Sequence, residues 1–327
     1  VVLFFTMYSA NQVQIGEWDM RRHTPLLYTI IFMLGSLTVV NLLSLSMPLP
    51  DAPPPDVLLV LAGTSLVFGA LAASVAVIRS EEARLFVGRV IAEPSDYDPQ
   101  SPVHLTAIVL SLALVSYLLL GFVAQGGIAG VAEGIEMTGV SSLELVLTAL
   151  LWVMAAALGV GLGQRRDMAA ARQRLGLRLP RGVDVGVGIA VGLGLWVFAI
   201  AFSLFWQMIA SPEVFAEQNR AAEQLSRSID SLLLVLLVSI CAAVGEEVFV
   251  RGALQPVFGI VLTSLFFTLL HAQYLFAPSM LLIFGVSLAL GWARRRHSTS
   301  AAVIAHFVYN FVPLLLAYLV LNRSGGI

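Results

Sequence analysis

The sequence predicts an all-α protein, a polytopic bundle of about eight or nine transmembrane helices with its N-terminus in the cytoplasm. Three observations predict it. Of 327 residues, 58% are hydrophobic and only 12% charged, against about 25% charged in soluble domains. Apolar runs recur at close to the roughly 20 residues that a helix needs to cross a bilayer core. They are too long and too uniformly apolar for the alternation of barrel strands. Finally, the charges between the runs are sorted by side.

The runs lie near 25–47, 56–78, 104–126, 142–163, 183–209, 231–256, 260–277, 279–293 and 300–321, the seventh and eighth being short. The opening VVLFFTMY is too short for a cleavable signal peptide, and polar sequence follows it. Arg21 and Arg22 precede the first run; Arg79, Arg84 and Arg89 follow the second. Arg165, Arg166, Arg172, Arg174, Arg178 and Arg181 follow the fourth, and Arg294, Arg295 and Arg296 the eighth. With nine spans every cluster falls on one side. The loops of the other side, DAPPPD, GIAGVAEGIEMTG and 211–230 with Arg220 and Arg227, are arginine-poor. The positive-inside rule then places the N-terminus in the cytoplasm and the C-terminus outside, in a multi-pass protein of the cell's inner membrane with lipid as a partner. The 80–102 loop ends in the turn signals Pro94, Pro99 and Pro102. Loop 211–230 reads as a short amphipathic helix with Val214, Phe215, Ala222 and Leu225 on its apolar face. In the fifth run GVGIAVGLG (186–194) is no nucleotide loop, since no strand precedes it; Gly188 and Gly192 at spacing four predict close helix packing.

Composition excludes several functions. Net charge is −2, so there is no basic field for nucleic acid, and all eighteen basic residues are arginine. The single Cys241 excludes a disulfide framework and a multi-cysteine metal site. No G-x-S-x-G and no H-E-x-x-H occurs.

Ionisable residues inside a span point to function, with a partner to be named. VGEEVFVRGALQP (244–256) carries Glu246, Glu247 and Arg251. Glu247 and Arg251, four apart, share a helix face and can pair, as a brace or as part of a site. Glu246 sits about 100° around the helix and has no partner there. Later spans supply His271, and His306 with Asn310 one turn on. His23, His104 and His297 lie at span ends, where polar residues are ordinary. Counted at 1.5 Å per residue, Glu246 lies roughly 15 Å, His271 roughly 18 Å and His306 roughly 9–14 Å from the cytoplasmic side, one slab that a small wet cavity could serve. Gln255, Gln273 and Tyr309 are candidates to line it. A carboxylate beside an imidazole can take a proton from water. A second histidine with an asparagine can hydrogen-bond a developing oxyanion. These parts suit hydrolysis of an amide by activated water. A zinc ion held by Glu246, His271 and His306 is chemically open as well, three N/O ligands plus water being a normal catalytic shell.

EEVFVR (246–251), FTLLH (267–271) and HFVYN (306–310) fit E-E-x-x-x-R, F-x-x-x-H and H-x-x-x-N. In that order they resemble the CAAX protease and bacteriocin-processing family, also called the type II CAAX prenyl endopeptidase or ABI family. RQRLGLRLPRG before the fifth run resembles the linker of its bacterial members. The resemblance spans about 170–322 and divides the chain into an unassigned region of about four helices (1–170), a catalytic transmembrane domain (171–322) and a short tail (323–327). It implies an intramembrane endopeptidase, with or without zinc, whose cavity faces the cytoplasm and whose substrate is a membrane-associated or lipidated peptide or protein. It further implies Glu246 as general base, His271 holding the water, His306 and Asn310 as the oxyanion site, Glu247 and Arg251 as the orienting pair, and Phe267 packing beside the site. Eukaryotic members remove the last three residues of prenylated proteins; bacterial members are linked to peptide maturation, self-immunity and scaffolding. Two other readings stand beside it. One is a non-catalytic scaffold or immunity protein on the same fold. The other is a proton-coupled transporter, which would call for a repeated half that the sequence lacks.

Overall fold

The computed structural model of the chain describes residues 1–47, 56–91, 93–212, 215–216, 223–224, 226–271 and 277–324. Among them the secondary structure is helical, without a strand. Short polar residues stand where the helices begin. Asp19 caps α2 (Met20–Ser46), Asp56 α3 (Val57–Arg79), Ser101 α5 (Pro102–Ala124) and Ser141 α7 (Ser142–Gly159), each side chain accepting a backbone N–H of the first turn. Asp167 and Ser231 do the same for α8 (Met168–Arg174) and α10 (Leu232–Glu247). A seven-residue π-helical segment, Val248–Leu254, continues α10 into α11 (Gln255–Leu270); α12 (Ser279–Arg296) and α13 (Thr299–Ser324) complete the chain. Two short helices sit between spans, α4 (Glu81–Val90) and α6 (Ile128–Thr138).

Among the described residues seven helices are long and apolar enough to cross a membrane: α2, α3, α5, α7, α9 (Gly182–Ile209), the run Leu232–Leu270, and α13. The sequence predicts eight or nine spans, and the difference lies in the sixth to eighth. Leu232–Leu270 is one helical run only by its hydrogen bonds. At Gly259 the backbone takes φ 73° and ψ 176°, outside the helical region. Phe249 and Phe266 would lie roughly 25 Å apart on a straight helix, yet their ring centroids are 6.4 Å apart. The chain therefore folds back at Gly259. The returning segment and α12 are two further limbs, one too short and the other ending in three arginines.

Glu93, from the α4–α5 loop, secures this reversal. Its carboxylate accepts the N–H of Ile260, the first free donor after the break, and pairs with Arg295. A Cβ at Gly259 would lie 2.6 Å from Glu93 Oε1, at a φ that L-residues avoid. Gly259→Ala is expected to cost about 2–4 kcal/mol, strain and overpacking together, read as a lower unfolding midpoint in detergent.

The amino-terminal helices are tied in by α1 (Val2–Gln14), which the run analysis does not identify. Asn11 donates to the Leu158 carbonyl of α7. His23 is fully buried, its ring bridging Ser9 of α1 and Thr106 of α5 at 3.1 and 2.7 Å, so it braces three helices. In α9 the packing reading of the glycines holds. A Cβ on Gly188 would meet Ile304 at 2.6 Å, and one on Gly192 the Ala305 carbonyl oxygen at 2.6 Å, so only glycine lets α9 and α13 approach. Within loop 211–230, Val214, Ala222 and Leu225 lie outside the described residues, as does Gln273.

The arginine-bearing loops meet at one end of the bundle, as their sorting predicts. Arg178 reaches Asp184 and the His297 carbonyl, Thr299 N–H donates to the Gly176 carbonyl, and Asp96 N–H to that of Pro256. Here a cavity of ≈ 460 Å³ opens beside Leu85, Arg89, Glu93 and Tyr97, away from the membrane-embedded histidines.

Candidate active site

The reversal at Gly259 brings the candidate residues together. Glu247 and Arg251 are both 0% exposed, with Arg251 Nε 3.1 Å from Glu247 Oε2. The contact has the distance of an ion pair without hydrogen-bond alignment. Arg251 is held further by Ser287 of α12, whose Oγ accepts from Nη2 at 2.9 Å, and it lies over the Phe267 ring at 4.9 Å from the centroid. The π-helical segment widens the helix where Arg251 sits, a distortion frequent at functional sites.

Glu247 does more than the spacing argument assigns it. Its second oxygen, Oε1, accepts from His306 Nδ1 at 3.0 Å. A carboxylate can only accept, so Nδ1 carries the hydrogen and Nε2 is not engaged by Glu247. Glu247 thus joins Arg251 from its own helix to His306 from α13, 59 residues on.

His271 closes α11. Its Nδ1 donates to the Phe267 carbonyl at 2.9 Å, which leaves Nε2 as an acceptor. Phe267 lies between the two histidines, its ring 4.7 Å from that of His271 and 6.2 Å from that of His306. Its expected packing role is therefore that of a central spacer. Glu246 stands apart from the buried pair. It is half-buried, its Oε2 is buried with no hydrogen-bond partner, and its charge acts on both His306 and Arg251. Asn310 is half-buried one turn beyond His306. Of the other polar candidates, Gln255 is an interhelical strut donating to the Gly291 carbonyl at 2.9 Å, and Tyr309 packs against the cluster of Leu195, Val286, Leu290 and Ala305.

Among the described residues no group of three His, Cys, Asp and Glu side chains is arranged to hold a metal ion.

Ser287 and Glu93 are the residues the motifs do not reveal. Ser287 leaves a faint signal, a lone hydroxyl in the apolar LLIFGVSLALG. Glu93 leaves none, since it acts from a loop 167 residues before Ile260.

No curated protein and no solved structure matches the chain. A family profile, type II CAAX prenyl endopeptidase Rce1-like, matches residues 228–312. Glu246, Glu247, Arg251, Phe267, His271, His306 and Asn310 all fall within that segment, and the match supports membership of the CAAX protease family of membrane proteases.

Proposed function

We propose that the protein is an intramembrane endopeptidase that hydrolyses a peptide bond of a membrane-associated or lipidated peptide or protein with water activated by Glu246 and His271. One observation carries the reading: Glu246 keeps a buried carboxylate oxygen without a partner, although Arg251 lies five residues on and is committed to Glu247. A buried unpaired acceptor is costly to maintain, and a water molecule would satisfy it. Glu246 and His271 Nε2 are both acceptors, and a water has two hydrogens to give them. A water held by both turns its lone pairs outward, toward a carbonyl carbon. As it attacks, Glu246 takes its proton and later returns it to the leaving amine. Nε2 of His306 and the Asn310 amide stand one turn apart on α13 and would face the developing oxyanion. His306 donates there from Nε2 when its ring carries both hydrogens, the Nδ1 hydrogen staying with the Glu247 carboxylate. Glu247 and Arg251 do no chemistry; they hold His306. The positive-inside rule supports an arginine-bearing end in the cytoplasm, at the cell's inner membrane, toward which the site would open.

The test is cleavage of quenched peptides, prenylated and plain, by the purified protein in detergent. Wild type is expected to cut at least one of them with or without chelator, and His271→Ala to lose the activity while keeping its unfolding midpoint. A folded wild type that cuts nothing supports the non-catalytic scaffold reading instead.

A further inference from the structure

A second concentration of charge lies at the arginine-bearing end, where the 160–166 turn, α8 and the end of α12 meet. Arg165, Arg166, Arg174 and Arg294 fall within Coulombic reach of one another in a chain of neighbours. Asp96 is the carboxylate that acts on Arg174 and Arg294, and none acts on Arg165. Four guanidinium groups against one carboxylate leave a local excess of three positive charges. The nearby Asp167 is exposed and spends its carboxylate on the cap of α8.

Three of the arginines have work within the fold. Arg166 donates to the Val160 carbonyl at 2.5 Å, Arg174 to that of Gly252 at 3.1 Å, and Arg294 to that of Arg251 at 3.0 Å. Arg165 has none. Its Nε is buried, and among the described residues it has no partner. Burial first, then the neighbouring guanidinium groups, pull Arg165 down to about 10, and burial does the same to Arg174 against the pull of Asp96. Both remain charged at neutral pH and would be relieved by an anion.

We propose that Arg165, Arg166 and Arg174 form a binding site for a phosphate group, carried by an anionic lipid headgroup or present as free phosphate. Guanidinium forks suit phosphate, whose several oxygens can accept from more than one arginine at once. A half-buried guanidinium whose buried Nε has no partner is otherwise costly. The site is joined to the active centre through backbone: Arg174 holds Gly252 in the π-helical segment, and Arg294 holds the Arg251 carbonyl. Occupancy would therefore stiffen the helix that presents Glu246 and Glu247. The site does not depend on the protease reading, and its test reads binding alone.

The full chain is placed in nanodiscs of phosphatidylcholine, of phosphatidylcholine with phosphatidylglycerol, and of phosphatidylcholine with inorganic phosphate against chloride at equal ionic strength. The unfolding midpoint and the lipids retained in native mass spectrometry are measured. A raised midpoint with phosphatidylglycerol alone supports a headgroup site; a rise with inorganic phosphate as well supports a free-anion site. In either case Arg165→Gln is expected to weaken binding about tenfold, and Arg165→Lys to restore part of it. No rise with either probe, or an equal rise in Arg165→Gln, overturns the proposal. Arg165→Gln removes like-charge repulsion and breaks no bond. Should it still fail to fold, equal retention of phosphatidylglycerol and phosphatidylcholine by wild type, together with no rise of its midpoint in inorganic phosphate, overturns the proposal too.

Discussion

Glu246→Gln is expected to lower kcat for peptide cleavage by about 10²–10⁴-fold, the usual contribution of a general base, and to leave the unfolding midpoint close to that of wild type. The two halves of this expectation come from one observation. Glu246 makes no hydrogen bond or ion pair within the protein among the described residues, so an isosteric amide breaks nothing that holds the fold. What the amide cannot do is take a proton. It can still donate to and accept from a water, so substrate binding and KM are expected to change much less than kcat. This split separates a base from a packing residue, which would move stability and activity together. An unchanged kcat, measured on the peptide that wild type cuts, would remove Glu246 from the chemistry and with it the water-activation mechanism.

The contrast between the two adjacent glutamates was legible in the sequence, and only in part. Spacing alone joins Glu247 to Arg251 and leaves Glu246 without a partner, because i and i+4 share a helix face while i+5 does not. The packing of Gly188 and Gly192 was legible too, since small residues at spacing four in an apolar helix have few other uses. What spacing could not give is the third member of the buried group. His306 reaches Glu247 across 59 residues, and its own turn offers an equally plausible neighbour, Asn310. The sixth and seventh runs end and begin beside Gly259, so the break was visible as a gap between them. The fold-back that sets Phe267 over Arg251 was not, because a positive φ at glycine leaves no trace in composition. The clamp by Glu93 and the docking of α1 were hidden for the same reason: each is made by one or two polar contacts between segments far apart in sequence.

Glu247→Gln is expected to be the most destabilising substitution in the site, at about 3–5 kcal/mol, the cost of leaving one member of a buried ion pair without its counter-ion. Arg251 would remain fully buried with a positive charge, and His306 would lose the carboxylate that orients it. Arg251→Met is expected to cost less, although it removes more atoms. The remaining Glu247 carboxylate keeps His306 at 3.0 Å, and a protonated ring there neutralises it; no comparable reserve exists for an orphaned guanidinium except Glu246. If Glu246 turns to Arg251 in the Glu247→Gln protein, it is spent as a base, so activity falls beyond the loss of stability. The double variant Glu247→Gln/Arg251→Met removes both charges and is expected to be more stable than Glu247→Gln alone, with a coupling of about 1–3 kcal/mol in the cycle. Denaturant unfolding of the four proteins in one detergent measures the cycle. Additive costs, or Arg251→Met proving the worse of the two single changes, would mean that Glu247 is an ordinary packing residue and that something else holds His306.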